Sequence, residues 1–121
     1  MASVDKQPWC VIVDDNPVNT MLLEQALLLQ GVKVTVINNP LIVEQVIDDS
    51  GLMPQLVILD QCMPELAGHQ LANNLRRRLG SGCRCYAWTA VVLSESQQSA
   101  FDGQLHKPYS PKQLELLLQS L

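Results

Sequence analysis

Five polar residues stand at the ends of short strand-like runs. Asp14 and Asp15 follow Trp9-Cys10-Val11-Ile12-Val13, and Asp60 follows Leu56-Val57-Ile58-Leu59. Thr89 closes the run from Cys83 to Trp88, and Lys107 follows Gln104-Leu105-His106. Three carboxylates gathered in one cleft repel one another, and a hard divalent cation relieves that repulsion. Mg²⁺ takes oxygen ligands, keeps several waters and accepts phosphate oxygens in its shell. With such an ion neutralising part of an incoming phosphoryl group, one carboxylate remains free to attack phosphorus. Lys107 supplies a point charge for one phosphoryl oxygen. The Thr89 hydroxyl can donate to another, which makes it a candidate sensor. An aspartyl phosphate adds charge and strong acceptors, enough to reorder nearby loops. Taken singly, each residue has a plainer role. An Asp after a strand is a turn or cap residue, an acidic pair before a helix favours its dipole, and Lys-Pro is an ordinary strand exit. A shared location is what would join them.

The elements that must supply that location alternate along the chain. Trp9 to Val13 is a continuous apolar run of the kind found in a sheet covered on both faces. Asn16 and Pro17 offer a cap and a first helical residue, and the helix they open stops at Gly31. Val32 to Ile37 reads as a second strand. Asn39-Pro40 repeats the cap-and-proline signal for a helix to about Asp49. Gln55 to Leu59 is a third strand ending at Asp60. A loop with Pro64 and Gly68 leads to a helix through Leu71, Leu75 and Leu79, broken at Gly80-Ser81-Gly82. Cys83 to Trp88 is a fourth strand, followed by a short, polar, helix-capable stretch from Ser94 to Ala100. Gln104 to His106 is a brief fifth strand. Ser110 and Pro111 open a last helix with Leu114, Leu117, Leu118 and Leu121 on one face. Five strand–helix units predict an α/β fold: a doubly wound, five-stranded parallel sheet with right-handed crossovers and the flavodoxin-like order 2-1-3-4-5. In such a sheet ligands bind at the carboxyl ends of the strands, where all five polar residues fall.

Composition agrees with one domain over residues 1–121, with 1–8 as a lead that is either native or left by excision from a longer chain. Of 121 residues, 47% are apolar and only 4% aromatic, so Leu, Val and Ile must build the core. Eight basic against twelve acidic residues give a net charge of −4, which argues against direct binding of nucleic acid. The one basic run, Arg76-Arg77-Arg78, falls at a helix end, where cations complement the dipole. Cys10, Cys62, Cys83 and Cys85 make no C-x-x-C motif and no zinc set with His69 or His106. They read as reduced thiols of a cytoplasmic domain, with no membrane contact of its own.

Four segments in order resemble the receiver domain of two-component response regulators and hybrid sensor kinases, the CheY-like family. They are Val11-Ile12-Val13-Asp14-Asp15-Asn16, then Leu56 to Pro64 with Gly68, then Trp88-Thr89-Ala90, then Asp102 to Pro108. The resemblance covers about Trp9 to Leu121. It implies that Asp60 is the phosphoacceptor, charged from a histidine kinase or a histidine phosphotransfer domain. It implies Mg²⁺ on Asp14, Asp15, Asp60 and the backbone carbonyl of Cys62, with Asp15 a more direct ligand than Asp14. It makes Thr89 the switch hydroxyl and Lys107 the phosphate-contacting lysine. The activity implied is Mg²⁺-dependent self-phosphorylation and self-dephosphorylation, without a further enzymatic reaction. The opening Asp-Asn-Pro-x-Asn and the closing Asp-Gly-x-Leu-x-Lys-Pro look closer to receivers of hybrid kinases, which allows a place in the cytoplasmic part of a membrane-bound kinase.

Two departures concern output. The family places an aromatic switch residue three positions before the lysine, where this chain has Gln104. The stretch from Thr89 to Lys107 is also shorter than the family norm by one helical turn, about four residues. The fourth helix should therefore be short or irregular. Cys62, two residues after the acceptor, is expected to contribute its carbonyl only. His69 and His106 are expected to face solvent or pack, without phosphotransfer partners. Two other readings remain: a degenerate receiver that acts as an interaction module without phosphate, and, more remotely, a haloacid dehalogenase-like phosphatase. The second needs an acid/base Asp two residues after the nucleophile, where Cys62 stands.

Overall fold

A computed structural model of the chain describes residues 7–107 and 110–119. The expectations placed on residues 1–6, Pro108 and Leu121 lie outside the described residues. Five strands alternate with five helices. They are β1 (Trp9–Val13), α1 (Pro17–Leu29), β2 (Lys33–Ile37), α2 (Val43–Ser50), β3 (Leu56–Asp60), α3 (Gly68–Leu79), β4 (Arg84–Thr89), α4 (Glu95–Gln98), β5 (Gly103–His106) and α5 (Pro111–Gln119). The strands form one all-parallel sheet in the order β2-β1-β3-β4-β5, the order expected from the sequence.

Local chemistry sets the helix ends. Asn16 caps α1 by accepting from Val18 N–H at 3.0 Å, with Pro17 at the first helical position. Gly31 follows with a φ of 78°, a left-handed conformation that suits glycine. Asn39 caps in the same way, accepting from Leu41 N–H at 3.0 Å. There, Pro40–Ile42 forms a 3₁₀ turn, and the α-helical hydrogen bonding starts only at Val43. Ser94 and Gln97 form a reciprocal capping box on α4, which runs for four residues. The shortness expected of this helix is thus observed.

Strand alternation divides the core into two layers. Val11, Val13, Val57, Leu59, Cys85 and Ala87 point to one face of the sheet, covered by Val43 and Ile47 of α2 and by Leu71, Ala72 and Leu75 of α3. Cys10, Ile12, Leu56, Ile58, Trp88 and Leu105 point to the other, covered by Leu23 and Leu27 of α1 and by Leu114 and Leu117 of α5. β1 and β3 are buried at all five positions, as their unbroken apolar runs predict. β2 is an edge strand and stays partly exposed despite its β-branched residues. Among the described residues, no helix is long and apolar enough to cross a membrane.

Candidate functional site

The alternation that builds the core also aims the polar residues. Asp14 lies two positions beyond Ile12, Asp60 two beyond Ile58, and Lys107 two beyond Leu105. All three therefore share the face covered by α1 and α5. Because neighbouring strands are in register, their ends meet. Carboxylate oxygens of Asp14, Asp15 and Asp60 lie within 4.8 Å of one another, with Asp14 and Asp60 buried and Asp15 exposed. Lys107 Nζ is 2.8 Å from Asp14 Oδ2 and 3.4 Å from Asp60 Oδ1.

Asp14 is held on several sides. Its N–H donates to Ile37 O at 3.2 Å, and its carbonyl accepts from Asn38 Nδ2 at 2.8 Å. Its Oδ1 accepts from Asn16 N–H at 2.9 Å. A carboxylate so fully buried needs such partners and a nearby cation, since removing a charge from water is costly. Asp60 Oδ1 accepts from Cys62 N–H at 3.3 Å. Burial pushes the Asp60 carboxyl above the usual carboxylate range; the Lys107 charge opposes that rise and the Asp14 charge adds to it.

Thr89 ends β4 and is buried, its Oγ1 accepting from Val91 N–H at 3.1 Å. Its carbonyl accepts from Lys107 N–H at 3.2 Å, which ties the fifth strand's exit to the fourth. Cys62 is exposed, whereas Cys10, Cys83 and Cys85 are buried, and all four are free thiols. Gln104 is half-buried in β5 beside a cleft of about 240 Å³ lined by Leu93, Gln98, Phe101, Asp102 and Gly103. It pairs with Ala87 and so points to the opposite face of the sheet from Leu105 and from Lys107, which follows the strand.

Three features escaped the sequence reading. First, His69 has a partner. Gln61 is buried; its Oε1 accepts from His69 N–H at 2.9 Å and its Nε2 lies 2.7 Å from His69 Nδ1. The first bond fixes the amide's orientation, so Nε2 is the donor and Nδ1 the acceptor. With Gly68 N–H donating to Gln61 O at 3.0 Å, this clamp closes the loop after β3 across its base. Gly68 is required there, because a Cβ would come within 2.4 Å of Asp60 O. Second, the arginines at the end of α3 do more than complement a dipole. Arg76 reaches Ser99 O and Asp102 Oδ1, both at 3.2 Å, while Asp102 Oδ2 accepts from Cys85 N–H at 2.8 Å. Arg78 pairs with Glu44 and Asp48 of α2. Third, the Lys107 ammonium lies 4.8 Å from the centroid of the Trp88 ring. The first and third join residues eight and nineteen positions apart, beyond any local pattern.

The family model described as the response regulator receiver domain matches residues 10–119. Sensor histidine kinase GacS of Pseudomonas protegens is 31% identical over 117 residues, which span 90% of this chain and 12% of the kinase's length. An uncharacterised 14.6 kDa protein of Leptolyngbya boryana is 32% identical over 90% of this chain and 86% of its own. Among solved structures, a CheY-like response regulator receiver domain from Methylobacillus flagellatus superposes with a TM-score of 0.82 at 21% identity, covering 95% of this chain and 98% of that one. The response regulator TrrA from Thermotoga maritima, in complex with Mg²⁺ and BeF, gives 0.81 at 23% identity over 94% of this chain and 98% of that one.

Proposed function

The chain belongs to the response regulator receiver family, and on that premise we propose that Asp60 takes a phosphoryl group from a phosphohistidine donor. The observation that carries this reading is the close cluster of Asp14, Asp15 and Asp60 at the carboxyl edge of the sheet, with Lys107 bridging its two buried members, Asp14 and Asp60. One carboxylate in such a cluster can be the nucleophile while the others hold a cation. Asp60 suits the first role because it stands at the centre: its strand lies between β1, which Asp14 follows, and β4, which ends at Thr89. Residues 1–121 are read as a single receiver domain.

An all-oxygen donor set of three close carboxylates, one of them exposed, fits Mg²⁺. Asp14, Asp15 and Asp60 would hold it with the carbonyl of Cys62. When bound, it would neutralise charge on the phosphoryl oxygens. TrrA, of similar fold, was solved with that ion and a beryllofluoride group. Lys107 would hold a phosphoryl oxygen, a role supported by its bridge between Asp14 and Asp60. The Thr89 hydroxyl would move from its Val91 contact to meet another. No further reaction is assigned to the domain. Gln104 and the four-residue α4 replace the family's aromatic relay, so output is proposed to bypass that face.

The proposed donor is a histidine kinase or histidine phosphotransfer domain that docks a helix on α1. That helix begins two residues after Asp15 and exposes Val18, Met21, Leu22, Leu28 and Leu29. An apolar stripe of this kind beside a reaction site suits a helical partner. GacS, a sensor histidine kinase, makes a hybrid kinase a reasonable setting. The four free thiols support a cytoplasmic location. Titration with Mg²⁺ and beryllofluoride, followed by Trp88 fluorescence in a Trp9→Phe background, tests the acceptor. The expected result is a saturable change that Asp60→Asn abolishes. An equal response from both proteins, or none at millimolar Mg²⁺, would favour the degenerate interaction module.

A further inference from the structure

The phosphoacceptor reading leaves Trp88 without a role, and the geometry around it suggests one. Trp88 shares the face of the sheet that carries Asp14, Asp60 and Lys107, and its Cα is paired with that of Asp60 across β3 and β4. Trp88 is 3% exposed and the Lys107 side chain 17%, so their contact at 4.8 Å is largely shielded from water. Shielded cation–π contacts are stronger than exposed ones. The ammonium therefore has three partners: Asp14 at 2.8 Å, Asp60 at 3.4 Å and the ring.

These partners respond differently to a divalent cation. A carboxylate that ligates a metal ion gives up much of its pull on a neighbouring ammonium. Asp14, the nearest partner of Lys107, is one of the carboxylates proposed to do so. The face of an indole ring is neither ligated nor neutralised, and its attraction persists. Lysine is a flexible four-carbon stem that needs such restraint to keep its charge in one place. The indole N–H, in contrast, finds no acceptor among the described residues. A smaller apolar side chain would fill this position without stranding a buried donor. What distinguishes Trp88 at this site is its ring face.

Resting on the phosphoacceptor reading, we propose that Trp88 is a positioning residue for phosphoryl transfer: its ring holds the Lys107 ammonium at the acceptor when Asp14 turns to the cation. Two measurements on the full chain test this. In metal-free protein, NMR of Lys107 should show ε-methylene protons shifted upfield by the ring current. The shift should be smaller in Trp88→Phe and lost in Trp88→Leu. With acetyl phosphate and saturating Mg²⁺, Trp88→Leu should slow phosphorylation about tenfold and Trp88→Phe by no more than about threefold. In a Lys107→Gln background, Trp88→Leu should have no additional effect. The proposal is overturned if wild-type Lys107 shows no ring-current shift, if Trp88→Leu reacts at the wild-type rate, or if it slows the Lys107→Gln protein equally. Should Trp88→Leu fail to fold, the wild-type and Trp88→Phe shifts decide. A wild type that takes no phosphoryl group would count against the receiver chemistry, whereas the metal-free shift reports on Trp88 alone.

Discussion

Burial of Asp60 has a cost to the stability of the fold. Burial raises its pKa, so ionising it at neutral pH costs the folded protein free energy that the unfolded chain does not lose. The sign follows directly. The protonated group's contribution is fully present below the usual carboxylate range and is lost as pH rises through the raised Asp60 value. Asp60→Asn never ionises, and its Tm at pH 7 without divalent cation should lie a few degrees above that of wild type. The gap should close as pH falls into the carboxylate range, and Mg²⁺ should narrow it at neutral pH. Thermal melts of both proteins across pH check this; a variant less stable than wild type at pH 7 would contradict it. The residue types at this site were legible because each ends a strand-like run. The Asp14–Lys107 pair, 93 residues apart in sequence, was not. Nor was the Gln61–His69 clamp, since an amide and an imidazole eight residues apart carry no periodic signal.

At the scale of elements, α1 has two apolar sides that its sequence barely separates. Leu23 and Leu27 bury against the sheet, while Met21, Leu22, Leu28 and Leu29 are apolar and exposed. Only the structure shows which side of a helix so rich in leucine is free. If the exposed side receives a donor helix, Leu22→Asp should slow transfer from a phosphohistidine protein by about tenfold, the cost of losing one strong contact. The reaction with acetyl phosphate should stay at the wild-type rate. Equal rates with both donors in both proteins would remove α1 from the docking surface. The helix ends were legible through Asn16-Pro17, Asn39-Pro40 and Ser94. The 3₁₀ turn at Pro40–Ile42 was not, because the same cap-and-proline signal opens either kind of turn.

The whole molecule joins the edge that carries Asp14, Asp15, Asp60 and Lys107 to a face with Gln104 and a one-turn α4. The parallel order was legible because five strand–helix alternations admit few topologies once crossovers are right-handed. The reduction of α4 to one turn followed from the resemblance, because the stretch between Thr89 and Lys107 is shorter than the family norm. How that turn is anchored did not. Arg76 and Asp102 fasten its C-terminal side to α3 and β4, which should keep this face still. Backbone NMR shifts on adding Mg²⁺ and beryllofluoride should therefore change around Asp15, Cys62, Thr89 and Lys107, and little from Ser94 to Gln104. A large rearrangement of 94–104 would restore the usual relay. The central claim, that Asp60 is the acceptor, is tested most directly by the intact mass of the protein after incubation with acetyl phosphate and Mg²⁺. The account predicts a gain of one phosphoryl group in wild type and none in Asp60→Asn. Full labelling of Asp60→Asn, or no labelling of wild type, would contradict it.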